Sequence, residues 1–247
     1  MSAAIPNTVH GLRKQLEQRI GRVERAPHRT LSSGIESLDQ MLPGGGVPKG
    51  HISLLQGSLG DGRTSFALLL IARVVHQGGR AVVVDTDGTW DPNCFAAADI
   101  PTDHVWVVSP KSQRQAIWSA DLLVRSGHFG LVYIGELERP LRTAEHVRLQ
   151  RWARESETVV LLAGDRYTRS SPGGLNLSFS VAELEWEEGV AGPVTPTRVH
   201  FQIQLSKHQR TARVCMPCRS RQLLGKHDGP PDRKPTNWHH DYAGAWA

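Results

Sequence analysis

The sequence Gly57-Ser58-Leu59-Gly60-Asp61-Gly62-Arg63-Thr64 decides the fold of this chain. It follows the apolar run Ile52 to Leu55 and opens an apolar segment with helical period that extends to Gln77. Its spacing matches the phosphate-loop pattern G-x-x-x-x-G-K-[ST], except that Arg63 replaces the lysine. Glycines at these positions let backbone N–H groups converge on phosphate oxygens, and the helix N-terminus adds a favourable dipole. The stretch therefore predicts a strand, a phosphate loop and a helix, with a plain glycine-rich turn as the alternative.

The residues of this loop predict a site for ATP and Mg²⁺. Arg63 keeps the positive charge of the lysine, but its planar guanidinium cannot act as the same compact point charge between phosphates. Thr64 supplies the hydroxyl that phosphate loops offer to a magnesium ion. We therefore expect the loop to bind a metal-nucleotide complex and hydrolysis to be weakened. The expected nucleotide-binding residues are Gly57, Gly60, Asp61, Gly62, Arg63, Thr64 and Ser65, with Thr64 also as the metal ligand.

Downstream of the loop, short β-rich runs alternate with segments of helical period, which predicts a parallel sheet covered by helices. The expected strands are Ile52–Leu55, Ala81–Asp85, Val105–Ser109, Leu131–Ile134 and Thr158–Ala163. The expected helices are Thr64–Gln77, Ser112–Arg125 and Leu141–Ser156. Phe179–Trp186 and Val199–Leu205 are expected to be late, antiparallel strands. The predicted fold class is α/β, with a mostly parallel twisted sheet.

The chain ends differ in character from this core. An apolar stripe on a charged helix is formed by Val9, Leu12, Leu16, Ile20 and Val23. Such a stripe must be buried, either on its own domain or on a neighbouring protein, and we take Leu12, Leu16, Ile20 and Val23 as partner-binding candidates. The expected segments are an N-terminal helix and linker over 1–28, a core over 29–206 and a flexible basic tail over 207–247.

The C-terminal segment is basic, and much of the formal net charge of +5 lies at the two ends of the chain. Lys207, Arg210 and Arg213 are candidates for contacts with a DNA backbone, and a solvated tail is the alternative. Cys215-Met216-Pro217-Cys218 has metal-ligand spacing, with His208 and His227 nearby, but a lone C-x-x-C is weak support for zinc.

Composition restricts the cellular setting. Three cysteines in 247 residues are too few for a disulfide framework, which favours a reducing compartment. The first eight residues lack the apolar core of a signal peptide. The longest apolar run, Phe66 to Ala72, is far shorter than the roughly 20 residues that cross a membrane. We therefore expect a cytoplasmic protein without a membrane partner.

Three motifs in order carry a resemblance to bacterial RecA recombinases. They are Leu31-Ser32-Ser33-Gly34-Ile35-Glu36-Ser37-Leu38-Asp39, then Gly44-Gly45-Gly46-Val47-Pro48-Lys49-Gly50-His51-Ile52, then the phosphate loop. The resemblance implies a RecA-like core, and it places Asp87 on the catalytic glutamate that activates water. The alternative is that Asp87 is a turn residue at the end of its strand. It matches Leu131–Ile134 to the Walker B strand, where Gly135 replaces the terminal aspartate and Glu136 is the nearby carboxylate. Gly164-Asp165 stands where recombinases have a polar pair that senses the γ-phosphate.

The same resemblance implies two DNA-contacting loops. The first is reduced to a few residues near Glu138 to Pro140, and the second to the stretch 166–174. Arg166, Tyr167 and Arg169 could hold phosphates and stack a base of single-stranded DNA, and a solvated loop is the alternative. Strand exchange is therefore not expected.

A RecA-like core with altered ATPase residues, shortened loops and an amphipathic N-terminal helix resembles the ImuA family. These are RecA-related accessory proteins of DNA-damage-induced mutagenic translesion synthesis in bacteria. The resemblance implies three protein partners: RecA, the polymerase-like protein ImuB and an error-prone DNA polymerase subunit. The alternatives are a DNA-stimulated ATPase with Asp87 as its base, and a non-enzymatic inhibitor of cell division of the SulA type.

Overall fold

The computed structural model describes residues 29–58, 60–164, 173–186, 196–206 and 210–217. Within them, ten strands and five α-helices follow the alternation that the sequence predicts. The α/β class with a mostly parallel sheet is confirmed. The predicted N-terminal helix and its stripe, Leu12, Leu16, Ile20 and Val23, lie outside the described residues. No helix in the described ranges is both long and apolar enough to span a bilayer.

The first two described strands form a small antiparallel pair, and the parallel strands follow them in the sequence. The pair is β1 (Thr30–Leu31) with β2 (Val47–Pro48), and the short helix α1 (Glu36–Met41) lies between them in sequence. The parallel strands are β3 (Ile52–Gln56), β4 (Ala81–Val84), β5 (Val105–Val108), β6 (Leu131–Ile134) and β7 (Val159–Gly164). The longer helices are α2 (Arg63–His76), α4 (Gln113–Ser126) and α5 (Thr143–Ser156), and α3 (Asn93–Ala97) is short.

One sheet of eight strands organises the molecule. Its order is β10-β9-β8-β3-β7-β6-β4-β5, where β8 is Asn176–Trp186, β9 is Pro196–Leu205 and β10 is Arg210–Pro217. The strands from β5 to β8 are parallel, and β8, β9 and β10 pair antiparallel. The strand β3 lies between β7 and β8 near the middle of the sheet, so the loop that follows it opens at the carboxyl edge of parallel strands.

The two faces of the sheet are covered by different helices. On one face α2 and α1 bury apolar side chains such as Phe66 and Leu38. On the other face α4 and α5 pack Ala120, Val124 and Leu149 against β4, β6, β7 and β3. Strands buried on both faces need continuous apolar runs, which is why Leu131–Ile134 and Val159–Gly164 carry no charged residue.

The expected flexible tail does not begin where the sequence suggested. Residues 210–217 were assigned to a basic tail, yet they form β10, whose full length pairs with β9 from Arg210 opposite Leu205 to Pro217 opposite Arg198. The physical reason is an alternation of period two, in which Ala212 and Val214 are buried while Arg213 and Cys215 are exposed.

The connection after β6, where the resemblance placed the first DNA loop, is short, and Arg139 within it bonds to residues of two helices. The backbone of Arg139 exchanges two hydrogen bonds with the Gln113 side chain, at 2.7 and 3.0 Å. Its guanidinium donates to both carboxylate oxygens of Glu145, each at 3.0 Å. The Arg139 guanidinium, with the Arg142 backbone N–H, lowers the pKa of Glu145 to about 2. Arg139 therefore ties this connection to the starts of α4 and α5.

Candidate nucleotide site

The predicted phosphate loop lies at the carboxyl end of β3, as the sequence requires. The N–H of Asp61 donates to the Ser58 carbonyl at 3.2 Å, and the Asp61 carboxylate accepts the Ser58 N–H at 2.6 Å. These contacts bend the described part of the loop into a turn, and residue 59 lies outside that part. Asp61 also adds a negative charge to a loop that is suited to anions, so it opposes tight binding of a triphosphate.

The first turn of α2 is arranged as an anion-binding helix terminus. Gly62 is the N-cap residue, with a left-handed φ of 97°, and it has no side chain that could cap the helix. The early N–H groups of the helix therefore point toward the loop, as they do where helices bind phosphates. Thr64 and Ser65 are exposed and offer hydroxyls at the same place.

Aromatic side chains of β8 and β9 pack against the end of the phosphate loop and the first turn of α2. A Cβ atom added to Gly62 would lie 2.6 Å from two carbons of the Phe201 ring. Phe179 of β8 packs on Phe66 of α2, with ring centroids 5.3 Å apart. The start of α2 is thus seated directly on β8 and β9, and only glycine fits at position 62.

Arg63 does not stand free in the site. Its guanidinium donates to the Glu136 carboxylate at 3.2 and 3.3 Å. The Arg63 side chain is only 12% exposed, whereas that of Glu136 is 47% exposed. The cation that replaces the loop lysine is therefore neutralised by the carboxylate that follows the Walker B strand, and a phosphate would have to compete with it.

The place of the Walker B aspartate is filled by another side chain. A Cβ atom on Gly135 would lie 2.3 Å from the Thr86 hydroxyl oxygen and 3.1 Å from Asp87 Oδ1. Thr86 in turn donates to the backbone carbonyl of Glu136 at 2.8 Å. A glycine is therefore required at position 135 by close approach, and a carboxylate cannot stand there without displacing Thr86.

Two aspartates follow β4 in different roles. Asp85 is buried, and its carboxylate accepts the N–H groups of Thr89 and Trp90 at 3.2 and 3.3 Å, which holds the turn 86–90. Asp87 is exposed and accepts the Thr89 hydroxyl at 3.3 Å. Partial burial raises the pKa of Asp87, and a hydrogen bond to the Asp85 carboxyl raises it further. The role of Asp87 as a base stays a prediction of the resemblance.

The buried phenol of Tyr133 is influenced by the charges of both Asp87 and Arg63. Burial raises the pKa of the Tyr133 phenol to about 12; the Asp87 carboxylate adds to the rise, and the Arg63 guanidinium opposes it. A Cβ atom on Gly135 would lie 3.1 Å from Asp87 Oδ1, and Arg63 is bound to Glu136, the residue after Gly135, so Arg63 and Asp87 lie at the same edge of the sheet. The structure therefore brings together Gly62, Arg63, Thr64, Ser65, Asp87 and Glu136.

Phosphates and magnesium fit this site unequally. The loop backbone and the uncapped start of α2 suit phosphate oxygens. For Mg²⁺ the chain offers the Thr64 hydroxyl, while the carboxylate expected at position 135 is missing and Glu136 is bound to Arg63. Nucleotide phosphates therefore fit the residues present, and a protein-held magnesium ion fits only in part.

The predicted DNA contacts are divided between described and undescribed residues. Arg166, Tyr167, Arg169 and Lys207 lie outside the described ranges. Arg210 and Arg213 are exposed on β10, and Arg213 forms an ion pair with Glu183 of β8. These two arginines therefore belong to the sheet and not to a flexible tail.

Comparison with known proteins agrees with this geometry. The family described as the RecA N-terminal domain matches residues 3–141, which is more than half of the chain. The chain belongs to the RecA N-terminal domain family. Protein RecA of Saccharopolyspora erythraea is 35% identical over 127 residues, covering 51% of this chain and 37% of that protein. Protein RecA of Nocardioides sp. is 32% identical over 145 residues, covering 59% and 41%.

The chain thus spans about two fifths of the length of these RecA relatives. The family match includes the phosphate loop, Asp87, Gly135 and Glu136. In this RecA-family chain the phosphate loop was predictable from the sequence, but the side chains that contact it were not. The Arg63–Glu136 ion pair, the Thr86 side chain beside Gly135 and the Phe201 ring under Gly62 connect positions far apart in sequence, and no local pattern indicates them.

Proposed function

We propose that this RecA-family chain is a nucleotide-binding accessory protein of DNA-damage-induced translesion synthesis, acting in the cytoplasm. The main support is the phosphate loop after β3, which lies beside a Walker B position where the Thr86 side chain leaves no room for a further side chain. Such a site suits holding ATP more than turning it over. An accessory role of the kind that the ImuA resemblance implies needs binding and release, not rapid hydrolysis.

Slow hydrolysis is the second candidate activity. The raised pKa of Asp87 suits a base, and the exposed Thr64 hydroxyl suits a metal-bound nucleotide. The missing carboxylate at position 135 and the neutralised Arg63 oppose it. We therefore propose nucleotide binding as the main property of the loop, with any turnover slow.

The Arg63–Glu136 ion pair leads to a direct prediction for nucleotide affinity. Replacing Glu136 with glutamine removes the charge that competes with phosphate for Arg63, so ATP should bind more tightly, by up to about fivefold. This range follows from the small free energy of partly exposed ion pairs, about 0.2 to 1 kcal/mol. Calorimetric titration of the full chain with ATP measures the change.

A matched control removes the same charge nearby. Glu138 is exposed two residues further along, so Glu138→Gln should leave ATP affinity unchanged. If Glu136→Gln and Glu138→Gln tightened binding equally, general electrostatics would explain the effect and the ion pair would not.

The proposed partners are RecA, the polymerase-like protein ImuB, an error-prone DNA polymerase subunit and single-stranded DNA. The support is the ImuA resemblance and the apolar stripe Leu12, Leu16, Ile20 and Val23, for which a partner protein is one of the two possible burial surfaces. For DNA the support is membership of the RecA family together with the exposed Arg210 and Arg213.

Deleting residues 1–28 tests this function. We expect the full chain to capture RecA in a pull-down and the deleted chain to lose at least nine tenths of that capture, because the stripe supplies the contact surface. Retained nucleotide binding by the deleted chain is the control for folding. Equal capture of RecA by both chains, or capture of the cell-division tubulin in place of RecA, would count against the accessory role.

A further inference from the structure

Three side chains of metal-ligating type meet on the outer half of the sheet, away from the nucleotide site. They are Glu185 of β8, His200 of β9 and Cys215 of β10, and one ligand atom from each lies within 4.8 Å of the others. His200 Nε2 and Glu185 Oε1 are 2.5 Å apart. Each residue comes from a different one of three neighbouring strands, so the cluster is built by strand pairing and not by sequence proximity.

The register of the strands fixes this meeting point. Cys215 lies directly opposite His200 in the β9–β10 pair. Phe201 and Val214, the next residues along, are buried in the core, so His200 and Cys215 belong to the opposite face of the sheet. A register shift between Val181 and Glu183 changes the alternation of β8. Glu185 thereby comes to this same face.

We propose that Glu185, His200 and Cys215 form a binding site for Zn²⁺. An imidazole nitrogen, a thiolate and a carboxylate are the three ligand types that zinc uses in proteins, at about 2.0 to 2.3 Å. Mg²⁺ and Ca²⁺ prefer sites made of oxygen alone, so this site differs in chemistry from the phosphate loop. Three protein ligands leave one tetrahedral position open for water or a further ligand.

The burial and charge of the cluster suit a metal at the edge of the core. The His200 side chain is 16% exposed and that of Glu185 is 41% exposed, while Cys215 is exposed and reachable from solvent. Arg198 approaches the other carboxylate oxygen of Glu185, at 3.8 Å, which leaves Oε1 on the side of His200. The neighbouring Arg213 is paired with Glu183.

A metal here would connect three strands where the sheet is least regular. The β8–β9 pair has two register shifts, one before Glu183 and one between Glu185 and Trp186. Among the described residues, the core cluster of α4 and α5 on this face draws its strand residues from the parallel strands β3 to β7. Zinc would therefore act as a cross-link of the antiparallel strands, and it would stabilise the fold by binding the folded state alone.

Titration of the full chain with Co²⁺ tests the site, because a thiolate bound to cobalt gives a charge-transfer band in the near ultraviolet. We expect one equivalent of Co²⁺ to produce this band, Zn²⁺ to displace it, and excess Mg²⁺ to leave it unchanged. Cys215→Ser should abolish the band. His200→Gln and Glu185→Gln should weaken binding by more than about tenfold, since even outer partners of metal sites contribute that much.

The matched control is Cys94→Ser, since Cys94 is half-buried within the short helix α3 and should not affect the band. Circular dichroism of each variant verifies that the sheet is retained. Absence of the band in the unmodified chain would overturn the proposal. So would a band that Cys218→Ser abolishes while His200→Gln and Glu185→Gln leave it intact, because that result would assign the metal to the C-x-x-C motif alone. None of these outcomes depends on nucleotide binding.

Discussion

Replacing Gly62 with alanine is expected to lower the free energy of unfolding by about 2 to 5 kcal/mol. Two effects add at this position. A left-handed backbone costs a residue with a Cβ about 1 to 2 kcal/mol, and overpacking a filled site costs about 1 to 3 kcal/mol. The new methyl group would lie 2.6 Å from the Phe201 ring, which is buried under the loop. Urea unfolding followed by circular dichroism measures the loss.

Gly60 supplies the matched control in the same loop. Its φ of 89° is also left-handed, but a Cβ atom there meets nothing within 4 Å. Gly60→Ala should therefore cost only the backbone contribution, about 1 to 2 kcal/mol. Equal losses for the two variants would mean that the contact between the loop and Phe201 does not contribute.

Replacing Gly135 with alanine is expected to destabilise the chain by about 1 to 3 kcal/mol, because the added carbon must displace the Thr86 hydroxyl from 2.3 Å. Gly135→Asp, which restores the Walker B carboxylate, should be no more stable and should gain no affinity for Mg²⁺. Chemical unfolding of both variants, with and without Mg²⁺, tests this expectation.

A double-mutant cycle identifies Thr86 as the cause. Thr86→Ala alone should cost about 1 kcal/mol, since its hydroxyl donates to the Glu136 carbonyl. Combined with Gly135→Ala, it should recover at least about 0.5 kcal/mol relative to the sum of the single changes. Thr89→Ala removes a hydroxyl from the same turn that is not among the nearest atoms to position 135, and it should recover nothing. Strict additivity with Thr86→Ala would contradict the close approach.

The strands of the parallel sheet were predictable because local pattern and burial agree there. Leu131–Ile134 was predicted with the bounds that the structure has, and α2 starts within one residue of the predicted helix. A continuous apolar run bounded by glycine or polar residues has few possible structures other than a central strand when helices cover both faces of the sheet. The late antiparallel strands were also expected, although both begin three residues earlier than predicted.

The strand β10 was missed because its apolar residues are few and are surrounded by charged ones. In this strand the buried residues Ala212 and Val214 are separated by an arginine, and the surrounding charge obscured the period of two. An edge strand exposes one face, so it needs few apolar residues. Basic residues are as typical of the exposed face of an edge strand as they are of a flexible tail.

The phosphate loop of the site was predictable from the sequence, but the contacts between distant side chains were not. The spacing of Gly57, Gly62 and Thr64 indicates the backbone geometry directly, because glycine permits what other residues do not. The partner of Arg63 depends on where β6 ends relative to the start of α2, and that distance is set by the sheet order. The meeting of Glu185, His200 and Cys215 depends in the same way on register and on one bulge.

Calorimetric titration of the full chain with ATP in the presence of Mg²⁺ shows whether the phosphate loop binds nucleotide. We expect saturable binding of one ATP, weakened at least about tenfold by Arg63→Ala. Loss of the guanidinium removes the cation nearest the phosphates, and charge-assisted bonds of this kind contribute about 1.5 to 3 kcal/mol. No binding to the unmodified chain, or equal binding to the Arg63→Ala variant, would contradict this expectation.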